Sequence, residues 1–176
     1  DIKEPGLNIL PPGVERHVVN AGGLTGLQIF PDDEIEIIND EGNQICEIIC
    51  FDKDGKSELA ILNLKENSNK SFIKEILKKR DESSLATNFQ LKKRNLDLNK
   101  SHSSILFDEK TPSGEKIKLK SKDKCYVIFS APQNDMLVSE QNPSGDLILF
   151  IKRAKITNDK ELSIIPDPVF EPHYEK

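Results

Sequence analysis

The stretch QIFPDDEIEIINDEGNQICEIICF, residues 28–51, decides the fold class of this chain. Two alternating apolar runs flank the turn-forming cluster Asn39-Asp40-Glu41-Gly42-Asn43, so the stretch reads as a β-hairpin. In the first run Ile35 and Ile37 share a face, while Glu34 and Glu36 point the other way. In the second, Ile45, Ile49 and Phe51 alternate with Cys46, Ile48 and Cys50, so both faces are apolar. A strand of that kind belongs inside a sheet covered on both sides. It carries one carboxylate, Glu47.

Outward from this stretch the chain continues in short runs. Residues 1–13, with Pro5, Gly6, Pro11, Pro12 and Gly13, read as an extended entry segment. Val14–Val19 suits a short strand, residues 20–26 a glycine-rich loop, and Leu59–Leu64 another strand. The spacing of Phe72, Ile73, Ile76 and Leu77 predicts a helix over 69–80, and Lys78-Lys79-Arg80 suit its C-terminal dipole. Residues 81–103 read as polar and irregular, with a weak element near Phe89. Short apolar runs follow at 105–107, 117–119, 126–129, 136–138 and 147–151, separated by turn residues. Many short strands with one or two helices predict a mainly β domain, barrel-like or a sandwich, over 14–165. Residues 166–176, rich in proline, read as a linker or tail.

At 176 residues the chain is long enough to bury a real core as one domain. The formal net charge of −5 argues against nucleic acid or an anionic membrane as a partner. Acidic residues dominate 31–60 and basic residues 65–124, which fits two solvated faces of opposite sign or a docking surface of complementary charge. Three cysteines leave one unpaired under any disulfide scheme, as suits a reducing compartment, and the expected location is the cytoplasm. No apolar run approaches the roughly 20 residues that cross a bilayer, and the first residues lack a signal-peptide pattern.

Motifs for chemistry are sparse. The Gly22, Gly23 and Gly26 loop lacks the helix that would hold a pyrophosphate, and it reads as a loop. Four residues of strand place Cys46 and Cys50 about 13 Å apart, too far to share one zinc at about 2.3 Å. These two and Cys125 read as buried thiols, His17, His102 and His173 show no ligand spacing, and no metal is expected. Glu47, flanked by apolar neighbours, is the leading acid–base candidate, because burial raises a carboxylate pKa. The competing reading leaves it on the open edge of the sheet or pairs it with a Lys or Arg from the basic half. Asp135, entering an apolar run, is the second candidate.

The residues 41–48, EGNQICEI, preceded by Asp33-Glu34-Ile35-Glu36-Ile37, resemble the Gly-Asn-Gln-x-x-acid hairpin of the urea carboxylase-associated proteins, and Pro12-Gly13 echoes that family's entry motif. Gln44 and Glu47 match the hairpin, with Glu where the family usually has Asp. Asp135 and Leu137 match a later His-Asp-x-Leu element, with Asn134 standing where the family has His and no cysteine following. The resemblance implies catalytic roles for Glu47 and Asp135 and substrate contacts for Gln44 and Asn134. Members of that family act in urea and guanidine breakdown, and related domains lie ahead of folate-dependent aminomethyltransferases similar to the glycine-cleavage T protein. With imidazole and thiol missing, the resemblance implies an accessory, non-catalytic domain of such a larger enzyme, offering an interface or a small-molecule pocket. Its partner would be a downstream domain or a second copy, with no cofactor here and tetrahydrofolate reserved for the larger parent. The alternative is a small hydrolase or deiminase acting on a urea- or guanidine-like compound.

Overall fold

The computed structural model describes residues 10–68, 71–108, 110–133 and 145–155. Eight strands form within them: β1 (Val14–Val19), β2 (Leu24–Ile29), β3 (Glu34–Asn39), β4 (Cys46–Asp52), β5 (Ser103–Phe107), β6 (Glu115–Lys120), β7 (Cys125–Ser130) and β8 (Leu147–Lys152). They pair antiparallel throughout, in two four-stranded sheets of order β1-β8-β3-β6 and β2-β7-β4-β5. Except for β4 and β5, which pair with each other, successive strands thus fall in opposite sheets, and closure comes from strands distant in sequence. That order is a jelly roll, or double-stranded β-helix. The predicted β-rich, sandwich-like domain is what forms.

The hairpin is not. β3 pairs with β6 and β8, whereas β4 pairs with β5 and β7. Residues 40–45 are therefore a corner carrying the chain from one sheet to the other. Gly42 and Asn43 both adopt positive φ, at 82° and 60°. A Cβ on Gly42 would stand 2.7 Å from the Ser113 amide nitrogen, and Asn43 N–H donates to the Thr111 carbonyl. The corner packs against another loop instead of folding its strands together. Turn residues between two apolar runs mark a reversal without saying which strand supplies the partner.

The alternation in β4 survives this correction. Cys46, Ile48 and Cys50 face the interior, with Val19, Ile29, Ile35, Ile37, Val127, Phe129, Leu147 and Leu149, and all are fully buried. Glu47, Ile49 and Phe51 face outward, and α1 (Phe72–Leu77) roofs them. A second cluster of Leu24, Ile49, Phe51, Ile73, Ile76, Leu77, Leu91, Tyr126 and Ile128 fills this layer. The doubly covered strand is real.

Two helical expectations change. The helix expected over 69–80 is a six-residue α1, and a twelve-residue α2 (Glu82–Lys93) occupies the segment read as irregular. Asp81 caps α2 by accepting from the Ser84 N–H at 2.9 Å. Much of the buried face of α2 is polar (Ser84, Thr87, Gln90), with Leu91 as its apolar anchor, while Leu85 and Phe89 are about half exposed. A pattern this inverted hides a helix from periodicity. Leu59–Leu62, expected as strand, is a 3-10 turn closed by Asn63 in the left-handed region.

Candidate functional site

Because Glu47 faces outward from β4, its carboxylate lies between a sheet and a helix and not inside the barrel. It is fully buried. Oε1 accepts from the Ile73 N–H at 2.7 Å and from the Ser130 hydroxyl at 3.4 Å. Ser130 stands directly across on β7, while Ile73 is in the first turn of α1. Oε2 makes no hydrogen bond within range, and neither does the Ser71 hydroxyl just ahead of α1. Burial pushes the Glu47 carboxyl above its ordinary value, against hydrogen bonds from the Ile73 N–H, the Ser103 hydroxyl, the Phe72 N–H and the Ser130 hydroxyl. A carboxyl so placed anchors α1 on the sheet.

Gln44 lies at the corner after β3 and is also fully buried. Its amide nitrogen donates to the carbonyls of Pro132 at 2.7 Å and Ile45 at 2.9 Å, and its Oε1 accepts from the Gly145 N–H at 2.8 Å. Asn39 Nδ2 in turn donates to the Gln44 carbonyl. One side chain therefore holds both ends of the connection between β7 and β8. Asn134 and Asp135 lie outside the described residues, so neither can be related to Glu47 or Gln44.

Sequence reading missed an ionic clasp at one end of the barrel. Arg153, just past β8, donates through Nε and Nη2 to the two carboxylate oxygens of Glu15 at 2.9 and 3.0 Å. Its Nη1 reaches Asp33 Oδ2 at 2.7 Å and the Gln28 carbonyl at 2.9 Å. Asp33, nearly fully buried, also accepts from the Phe30 and Ala154 N–H groups. Burial would raise the Glu15 carboxyl, but hydrogen bonds from His17 and Arg153 and the Arg153 charge hold it down to about 2. Residues 120 apart make this clasp, and no local signal announces it. The arrangement is structural, binding β1, β2 and the end of β8 together.

The cysteines are buried and free. Cys50 and Cys125 are neighbouring thiols on β4 and β7, and the Ser121 hydroxyl lies 3.5 Å from the Cys125 sulfur. Their mutual interaction raises the Cys50 thiol and lowers that of Cys125, while burial raises both. His17 pairs with Glu15 and His102 with Glu66, and His173 lies outside the described residues. Among the described residues no group of three His, Cys, Asp or Glu side chains is placed to hold a metal ion, and no helix is long and apolar enough to cross a membrane. Of residues 20–26, expected as a loop, Leu24, Thr25 and Gly26 already belong to β2, so the segment runs into a strand and not a helix. Within β2, Gly26 leaves room for the Tyr126 ring, whose Cζ a Cβ there would meet at 2.8 Å.

The chain is similar to a protein of Ruegeria pomeroyi described as trimethylamine-oxide aldolase, with 31% identity over 171 residues. The similarity takes in 97% of this chain but 22% of that relative, so the chain spans about a fifth of its length. No protein-family model matches the sequence. Among solved structures, a de novo designed double-stranded β-helix aligns over 79% of this chain and 95% of its own, at 8% identity and a TM-score of 0.29. The jelly-roll assignment rests on strand order alone.

Proposed function

We propose that this jelly roll is an accessory, non-catalytic module of a larger amine-metabolising enzyme, of the folate-dependent aminomethyltransferase type that the sequence resemblance implies. One observation carries the reading: the barrel interior is filled by Val19, Ile29, Ile35, Ile37, Ile48, Val127, Phe129, Leu147, Leu149 and Ile151, a solid apolar core where a ligand-binding barrel would keep polar groups. The relative's name, trimethylamine-oxide aldolase, and the small share of it that this chain spans support placing the module within an amine-processing protein. Its contribution there would be an interface, with Gln44 and the Arg153 clasp fixing the loops that present it.

The test is made on the whole polypeptide that carries these residues, assayed for turnover of trimethylamine oxide. Substituting Glu47→Gln, or opening the corner with Gln44→Ala, is expected to change thermal stability while leaving KM and the pH profile of turnover unchanged. A loss of kcat by two orders of magnitude in Glu47→Gln, with the fold intact, would overturn the reading.

One observation favours the hydrolase or deiminase alternative. Glu47 Oε2 is buried without a hydrogen-bond partner, and burial raises the carboxyl above its ordinary value, which suits a general acid or base. Under that reading Gln44 and Asn134 contact a urea- or guanidine-like substrate, and Asp135 works beside Glu47. Saturable binding of urea or guanidinium that disappears in Glu47→Gln would establish it.

A further inference from the structure

β5 ends one sheet and β6 the other, and the two edges are finished differently. The β5 edge is covered. Asn67 Oδ1 accepts from the Ile105 N–H at 2.7 Å, its Nδ2 donates to the Ile105 carbonyl at 3.1 Å, and its backbone N–H donates to the Ser103 carbonyl. On β6 the ladder to β3 fixes which groups point where. The Ser121 N–H donates to the Asp33 carbonyl at 3.0 Å, and in that antiparallel register Leu119, Ile117 and Glu115 also turn their backbone groups toward β3. Lys116, Lys118 and Lys120 therefore turn theirs outward, where no strand among the described residues meets them. Just beyond, the Lys122 N–H donates to the Ile61 carbonyl at 3.0 Å and closes that end.

Two clefts open beside this edge. One, of about 550 Å³, lies against Leu62, Asn63 and residues 118–122. The other, of about 340 Å³, lies against Leu106, Phe107, Pro112 and Ile117. Side chains alternate along the strand: Ile117 and Leu119 turn inward against the main core, while Lys116, Lys118 and Lys120 are exposed. Among the described residues none of these lysines forms an ion pair.

A bare edge is a template for another strand, and lysines along it are a common guard. The guard is selective. A second copy of β6 would set lysine against lysine, whereas a strand with carboxylates at alternate positions would pair them. β3 already displays that pattern on the other side, where Glu34, Ile35, Glu36 and Ile37 stand opposite Lys120, Leu119, Lys118 and Ile117.

We infer that the free edge of β6 is a docking site for an extended segment of a partner protein in which acidic and aliphatic residues alternate. The segment adds a strand to the β1-β8-β3-β6 sheet, exchanging backbone hydrogen bonds with Lys116, Lys118 and Lys120. Its carboxylates lie beside the lysines, and its apolar side chains turn toward the two clefts. The edge is open in the same way whether the domain is accessory or catalytic, so nothing here depends on that role.

The probe is a blocked peptide of three Glu-Ile repeats, titrated into the isotopically labelled full chain. Saturable shifts are expected at the Lys116, Lys118 and Lys120 amides. Bound peptide should slow hydrogen exchange at those three amides and leave Ile117 and Leu119, already bonded to β3, unchanged. Lys118→Pro removes one outward N–H without touching the β3 ladder, and should abolish binding with the Ile35 and Ile37 methyl signals unmoved. Lys118→Gln should weaken binding about 1.5- to 5-fold. Absence of saturable binding would overturn the inference. So would undiminished binding by Lys118→Pro, or protection that rises evenly along β6. Concentration-dependent shifts of the three amides in the chain alone would overturn it too, by identifying a second copy as the occupant.

Discussion

Two carboxylates show how position decides what a charge does. Burial raises the Glu47 carboxyl, so between its unfolded value near 4.3 and its folded value the unfolded chain gives up the proton more readily. Its contribution to stability is complete at low pH and fades as the pH rises through the folded value. Glu47→Gln removes that slope: thermal melts should show a gain over the native protein at pH 8 and none at pH 4. Parallel curves would mean that the carboxyl is not perturbed. Glu15 behaves oppositely. Held down to about 2, it stabilises the fold above its unfolded value and loses that contribution as the pH falls toward 2. Arg153→Met strands Asp33 in the interior and should cost about 3–5 kcal/mol by urea denaturation. Replacing Asp33 by Leu as well should recover much of that loss. Glu47 was legible from its apolar neighbours alone, whereas its partner on α1 was not, because only folding brings residue 73 beneath residue 47.

Among the elements, β4 and α2 mark the two limits of reading a pattern. Seven consecutive residues with apolar character on both sides leave β4 no place but a central, covered strand. The same alternation could not name its neighbours, since pairing in a jelly roll is between strands far apart in sequence. α2 fails for a different reason. It exposes Leu85 and Phe89 and buries Ser84, Thr87 and Gln90, where the Ser84 hydroxyl donates to the Ile76 carbonyl at 2.9 Å. Polar side chains with defined partners can fill a buried face as well as apolar ones. Leu85→Ala and Phe89→Ala should therefore stay within about 0.5 kcal/mol of the native protein, and Leu91→Ala should cost about 2–3 kcal/mol. Gly26 gives a sharper test within β2. Gly26→Ala drives a methyl into the Tyr126 ring and should cost about 1–3 kcal/mol, and Tyr126→Leu should relieve most of the clash in a double-mutant cycle.

For the molecule as a whole, composition and the run of short strands were enough to predict a β-rich barrel or sandwich, because many short apolar runs separated by turns have few other ways to bury a core. The clasp of Glu15, Asp33 and Arg153 and the bridge made by Gln44 stayed hidden, since each joins residues that the chain order keeps apart. Protection should follow the same architecture. Native-state hydrogen exchange is expected to be slowest in β4, β7, β3 and β8, which have neighbours on both sides, and faster in the edge strands β5 and β6. Equal protection in the central and edge strands would contradict this pairing order.

The strand order also has a consequence in time. Among the described strands β1 comes earliest in the chain, yet the strand it pairs with there is β8, which enters between β1 and β3. Until Lys152 has left the ribosome, β1 lacks this partner and its sheet lacks its middle. Among the described strands β8 is the keystone of this vault: it completes its sheet, and the barrel locks when Arg153 arrives to grip Glu15 and Asp33.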